Sequence, residues 1–215
     1  REMNVAAQYV TDDGATRIYV SLDKDMLEPQ FSFGQSEDHG VKVDWGDGSE
    51  PETSEGWNYT KITLTHRYRE PGEYVIRFLP QGENQVSFFG NYNAGSYLFT
   101  SGKSSVRENM KYLSAVRKIE VGSQVRELGD YCFCSFSRLE SITMGNAVEW
   151  GNGVVKECCS LKFLGLPEGK GMLPGYFCDG CVQLEHISVP NTVTRLWDYV
   201  FDKCTTLQEV TLPDG

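Results

Sequence analysis

The feature that most constrains this chain is a repeat. Four leucines, Leu139, Leu161, Leu184 and Leu207, open four copies of one phrase, and the steps between them are 22, 23 and 23 residues. The clearest copy runs Leu184-Glu185-His186-Ile187-Ser188-Val189-Pro190, continues through Val193, Leu196, Tyr199, Phe201 and Cys204, and hands over to the next at Leu207. A fixed period of this length predicts a solenoid over residues 116–215, a stack of about four coils. No coil covers its own apolar surface, so stability must come from the interfaces between neighbours.

Within one copy, the alternation Leu-x-x-Ile-x-Val predicts a short strand with apolar residues on one face. A second apolar pair (Val125/Leu128, Val148/Trp150, Met172/Leu173, Val193/Leu196) needs a second side of the coil. A third group (Tyr131/Phe133, Val154/Val155, Tyr176/Phe177, Tyr199/Phe201) is expected to fill the far corner. The residues between the strand positions then form two outward columns on one exposed, concave sheet face. One column is Lys118, Ser141, Phe163, His186 and Glu209. The other is Glu120, Thr143, Gly165, Ser188 and Thr211. These columns are the candidate ligand-binding residues, with Trp197, Tyr92 and Tyr97 as second-choice aromatic anchors.

The phrase resembles the BspA-like leucine-rich repeats, whose units read roughly L-x-x-I-x-L-P-x-x-V-x-x-I-x-x-x-x-F-x-x-C-x-x-L. Leu184 through Leu207 matches nearly every position. Three departures are visible. The 139–161 unit carries Val154-Val155 in place of Phe. The 161–184 unit is glycine-rich (Gly165, Gly169, Gly171, Gly175) and slips by one residue before Cys181. The first unit has Phe136 where the others have Cys. Local irregularity is expected there. The resemblance implies a secreted or cell-surface interaction protein of bacteria living on host surfaces, and it does not imply an enzyme.

Charge narrows the partners. Thirty acidic against 20 basic side chains leave the chain at −10. That balance argues against nucleic acid and anionic membrane, both of which need basic patches. No apolar run is long enough to span a bilayer, so no membrane insertion is expected. The start, Arg1-Glu2-Met3-Asn4, has no apolar leader core. The protein is therefore either cytosolic or begins after a removed leader, and the resemblance favours the second, with leader and anchor outside this sequence. The sequence stops within a repeat phrase at Pro213-Asp214-Gly215, which fits a short capping strand or a longer natural chain.

Residues 1–80 read differently. After a polar stretch ending Asp12-Asp13-Gly14 come short β patterns at 18–22, 31–33, 41–45, 62–65 and 74–78, with turn signals between them and no helical period. Such spacing predicts an all-β sandwich. At Trp45-Gly46-Asp47-Gly48-Ser49, and from His66 through Tyr68, Pro71-Gly72 and Tyr74 to Ile76, this region resembles a PKD-type domain. That family carries W-x-F-G-D-G-S followed by H-x-Y-x-x-P-G-x-Y-x-V. Here Trp45 runs straight into Gly46 without the usual intervening aromatic. The resemblance implies an immunoglobulin-like spacer or binding module. Independently of it, Gly46 and Gly48 suit a turn of positive φ, Asp47 suits a bond to the backbone two residues on, and Pro71-Gly72 suits a type II turn. Trp45 and Tyr74 are expected between the sheets, and His66 is expected to be structural.

Residues 81–115 are expected to cap the solenoid and join the two parts, either as a rigid joint or as a hinge. Val86-Ser87-Phe88 suits a strand, and 106–113 a short helix capped by Ser104 or Ser105. All seven cysteines lie between 132 and 204, and Cys158, Cys181 and Cys204 recur at one repeat position. They read as buried free thiols rather than as disulfides or zinc ligands, although Cys178-x-x-Cys181 invites the metal reading. Asp12, Asp13, Asp44 and Asp47 offer calcium oxygens without the alternating ligand spacing of a calcium loop. No nucleophile motif accompanies His39, His66 or His186. The expectation is thus a mainly β, non-catalytic surface adhesin, without cofactor or metal, that binds a host or bacterial surface protein. A glycan-binding accessory protein, which calls for an exposed coplanar aromatic pair, and a structural spacer are the alternatives.

Overall fold

The computed structural model describes residues 13–36, 39–56, 61–144, 149–168 and 171–212. Asp12, Val148, Gly169 and the last three residues lie outside them. Seven strands come first: β1 (Thr16–Leu22), β2 (Gln30–Gln35), β3 (Val41–Asp44), β4 (Glu52–Thr53), β5 (Lys61–Thr65), β6 (Gly72–Pro80) and β7 (Val86–Phe88). A small hairpin of β8 (Gly90–Asn91) and β9 (Gly95–Ser96) precedes the helix α1 (Val106–Leu113). The repeats supply strands in pairs: β10 (Val116–Glu120) with β11 (Val125–Leu128), β12 (Ser141–Thr143) with β13 (Glu149–Trp150), β14 (Phe163–Gly165) with β15 (Met172–Leu173), and β16 (His186–Ser188) with β17 (Arg195–Leu196). The last strand is β18 (Glu209–Thr211). The protein is mainly β, and its repeats form a solenoid of about four turns.

The solenoid does not begin with an open end. Its first side continues a six-stranded sheet of order β12-β10-β1-β6-β3-β4, and its second side a five-stranded sheet of order β13-β11-β7-β2-β5. β10 pairs antiparallel with β1 and parallel with β12. β11 lies parallel between β7 and β13. The third side, at the far corner of each coil, is a backbone ladder: Phe133 N–H donates to Val154 C=O, Val155 to Phe177 and Cys178 to Val200, at 2.9–3.0 Å. Its upstream end is closed by the β8–β9 hairpin, where Ser96 N–H reaches Cys134 C=O at 3.0 Å and Gly90 N–H reaches Asp130 C=O at 2.9 Å. Every side of the first coil therefore meets backbone partners from the preceding residues, as buried amides require. Residues 16–80 and 116–150 share both sheets, so a rigid junction replaces a hinge.

One aromatic core runs through the junction. Phe78 of β6 touches Phe31 and Phe33 of β2 and Phe88 of β7, with ring centroids 5.5–6.2 Å apart, so the two large sheets face each other. Phe88 then meets Phe133 of the first coil at 6.0 Å. Helix α1 forms where the hydroxyl of Ser105 accepts from Glu108 N–H at 3.3 Å and donates to the Glu108 carboxylate at 2.6 Å, a side-chain N-cap.

The structure departs from expectation at three places. Met172 and Leu196 are exposed although Leu173 is buried. Neighbours in a strand face opposite ways, and Leu196 lies on β17, which among the described residues pairs with β15 alone. Tyr176 and Tyr199 are exposed rather than core residues. The corner explains this: Tyr131, Gly153, Tyr176 and Tyr199 share φ of 56–62°, as do Ser135, Glu157, Gly180 and Lys203 at 55–78°. Two left-handed residues per coil turn the chain and swing those side chains outward. The core is filled instead by Cys132, Val154, Phe177 and Val200, and beside them by Phe133, Val155 and Cys178. Finally, Pro71-Gly72 makes no type II turn. Gly72 does not have positive φ and begins β6.

Candidate functional site

The outward columns exist as paired neighbours. Lys118 lies opposite Ser141 and Glu120 opposite Thr143, between β10 and β12. Phe163, His186 and Glu209 align across β14, β16 and β18, as do Gly165, Ser188 and Thr211. The columns fall into two blocks, because β12 and β14 share no ladder among the described residues. The break coincides with the shorter 22-residue step between Ile142 and Leu164.

The downstream block carries the largest exposed side chain of the face. Phe163 is 59 % exposed, and its ring stacks on His186 at 5.4 Å and 3°. His186 Nδ1 lies 3.1 Å from Glu209 Oε2. Stacking and hydrogen bonding hold these three in a line before any partner arrives. Ser141, Thr143, Ser188 and Thr211 are exposed around them.

The upstream block runs on past the solenoid. Tyr19 of β1 lies opposite Lys118, and Arg17 opposite Glu120. The Tyr19 hydroxyl donates to Glu120 at 3.0 Å, Lys118 Nζ bonds the same carboxylate at 2.6 Å, and the ammonium sits 4.8 Å from the Tyr19 ring centroid. Burial works against the Glu120 carboxylate, but the hydrogen bonds from Lys118 and Tyr19 outweigh it and hold its pKa below the ordinary range. Beyond them Arg77 pairs with Asp13 at 2.5 Å and approaches Asp44 at 3.7 Å. Two of the calcium candidates are thus occupied by guanidinium. A third, Asp47, bonds Ser49 and His66 at 2.6–3.0 Å. Sequence reasoning missed Tyr19, Arg17 and Arg77, because nothing local says that β1 borders β10.

The second-choice anchors do not come together. Tyr97 is half-buried, edge-on to Phe89 and covered by the Lys61 ammonium at 4.4 Å. Tyr92 meets Tyr131 edge-on at 5.9 Å on the outward corner, and Trp197 is 55 % exposed near the last coil. Tyr176 and Tyr199 are exposed and nearly parallel, but their rings stack on each other at 5.0 Å, so each covers a face that a sugar would need.

The cysteines form a ladder of their own. The thiols of Cys158, Cys181 and Cys204 donate to the carbonyls of Phe133, Val155 and Cys178, each in the preceding coil, at 3.1–3.2 Å. All seven cysteines are free. Burial raises the thiol pKa throughout, to about 11 for Cys134 and Cys204. Among the described residues no group of three or more His, Cys, Asp or Glu is placed to hold a metal ion. No helix among them is long and apolar enough to cross a membrane.

Comparison with known proteins places the repeats. The family model of the BspA type leucine rich repeat region matches residues 84–176 and 171–215, in six copies. The match begins just before β7, upstream of the first full coil. There β7 supplies a second side and the β8–β9 hairpin a third, while β1 supplies the missing first. No curated protein and no solved structure matches the chain.

Proposed function

The chain belongs to the BspA-type leucine-rich repeat family, and from that membership we propose a non-catalytic binding protein of the bacterial surface or exterior, an adhesin whose partner is a protein seated on the outward sheet face. The observation that carries this reading is the exposed, pre-stacked line of Phe163, His186 and Glu209 on a hydrogen-bonded ladder. A large aromatic standing on rigid backbone suits an interface anchor, because little freedom is lost when it is covered.

In the same reading the N-terminal strands form a PKD-type, immunoglobulin-like sandwich that holds the solenoid at its upstream end. The two sequence motifs do converge: His66 stacks on Trp45 at 4.7 Å, the Tyr68 hydroxyl donates to Trp45 C=O at 3.1 Å, and Tyr74 lies 4.5 Å from Tyr68. The strand order is adapted. Where an immunoglobulin sheet ends on its last strand, β1 takes that place beside β6, and β7 flanks β2. Both displaced strands are those that pair with the first coil.

The test is a screen of the purified protein on an array of host matrix proteins and glycans, repeated with Phe163→Ala, His186→Ala and Glu209→Ala. A protein hit weakened roughly 30-fold or more by Phe163→Ala supports the reading. A glycan hit untouched by these changes moves the site elsewhere. Silence on the array leaves a structural spacer.

A further inference from the structure

The outward line of Phe163, His186 and Glu209 is chemically one-sided. Glu209 Oε2 lies 3.1 Å from His186 Nδ1. A carboxylate only accepts, so the hydrogen of the neutral imidazole sits on Nδ1 and the lone pair on Nε2. Among the described residues neither His186 Nε2 nor Glu209 Oε1 has a protein partner, and the two side chains are 40 % and 63 % exposed. The line therefore presents two hydrogen-bond acceptors, no donor, and one large apolar ring.

Charge sets this block apart from the upstream one. There the Glu120 carboxylate is closed by Lys118 and Tyr19. Here the six outward positions, Phe163, Gly165, His186, Ser188, Glu209 and Thr211, hold one formal charge, on Glu209. Among the described residues no lysine or arginine pairs with it. At −10 the whole chain draws cations toward such a site. The ring beside it is open as well. His186 stacks on Phe163 from the β16 side, while on the β12 side the column continues with Ser141, which brings no ring.

We propose that this line receives an arginine of the protein partner, its guanidinium donating to Glu209 Oε1 and His186 Nε2 and its stem lying along Phe163. The proposal rests on the reading above, that the outward face binds protein, and names the chemistry of that partner. An exposed ion pair is weak by itself. Arginine adds to it a rigid fork of donors that spans two acceptors and a flat cation that packs on an aromatic ring. Lysine brings a point charge without the fork, and a neutral donor leaves the carboxylate unmatched.

The experiment uses the full chain with nitrogen-15 in its histidine rings, followed by nuclear magnetic resonance at about pH 8, where an ordinary imidazole is neutral. Loss of the signals in His186→Gln assigns them. The free protein should carry the His186 hydrogen on Nδ1. Acetyl-arginine methylamide is then titrated in, with its lysine and citrulline counterparts as comparisons. The expected result is a saturable shift of the Nε2 resonance with the arginine compound, a weaker one with lysine and none with citrulline. Glu209→Gln should abolish the response, and Phe163→Ala should weaken it several-fold. A hydrogen on Nε2 in the free protein, no shift with the arginine compound, or an equal shift with lysine or citrulline overturns the proposal. A partner from the array that depends on Phe163 but binds Glu209→Ala unchanged sinks the arginine proposal alone. An arginine titration beside a silent array sinks the face reading instead.

Discussion

Cys181 donates its thiol hydrogen to the carbonyl oxygen of Val155, one coil upstream, at 3.1 Å. Both groups are buried, so the thiol is a packing residue and a hydrogen-bond donor together. Cys158 and Cys204 repeat the arrangement one coil to either side. Cys181→Ala should destabilise the protein by about 1 kcal/mol or more, since it removes a hydrogen bond and opens a small cavity, while the Val155 carbonyl keeps the N–H of Cys158. Chemical denaturation of the variant checks this; a loss within error would mean that the sulfur bond contributes nothing net.

The thiols also set an alkaline limit. Their folded pKa values lie above the ordinary thiol value, at about 11 for Cys134 and Cys204, because burial disfavours the thiolate. A raised folded pKa gives stability that is full below the unfolded pKa and lost as pH rises through the folded one. Melting temperature should therefore fall progressively above about pH 8.5, the ordinary thiol value. At neutral pH a thiol reagent should reach the half-exposed Cys159 and Cys204 first, and all seven only after unfolding. Fast native labelling of Cys158 or Cys181 would contradict the packing described.

Asp47 acts at the other end of the pH scale. Burial alone would raise its pKa, but hydrogen bonds from Ser49 and His66 lower it to about 2. A depressed carboxylate stabilises the fold above its unfolded pKa and stops doing so as pH falls through the folded value. Asp47→Asn should lower the melting temperature at neutral pH and flatten the acid limb between about pH 4 and 2. An unchanged acid limb would assign the loss to other carboxylates.

Two glycines of one turn separate conformational from steric cost. Gly46 and Gly48 have φ of 77° and 80°, but a Cβ on Gly46 would lie 2.4 Å from Val75 C=O, whereas one on Gly48 meets nothing within 4 Å. Gly48→Ala should cost about 1–2 kcal/mol, the left-handed penalty alone. Gly46→Ala should cost clearly more and loosen the β3–β6 pairing. Equal melting temperatures would refute the close approach.

Lys156 and Asp179, both buried, pair across adjacent coils, with Lys203 adding a 3.3 Å contact to the same carboxylate. Asp179→Ala strands an ammonium in the corner and should cost about 3–5 kcal/mol, while Lys156→Met with Asp179→Leu should recover most of it. A double-mutant cycle measures the difference, and additive losses would show that the pair is not coupled.

Much of this architecture was legible because its signals are local. The 22–23-residue period, the alternation that sets Phe163, His186 and Glu209 in one column, and the Ser105 cap of α1 each arise between near neighbours or identical repeats. The thiol positions were legible for the same reason, though not their carbonyl partners. The outward Tyr176 and Tyr199 were misread as core, since left-handed φ at a non-glycine residue leaves no mark in the sequence beyond the repeated spacing.

What the sequence determined by itself is the coil and its exposed face, since stacking identical units forces equivalent residues into register. What only the tertiary structure decided is how the stack begins. Arg17 meets Glu120 across about a hundred residues, β7 lies parallel to β11, and the bulge at Arg117 absorbs the mismatch. Such pairings depend on which open edges find each other once both halves have collapsed, and backbone hydrogen-bonding demand is nearly the same for every residue type. Side-chain identity therefore specifies the repeats, while the seam emerges only from the assembled sheets.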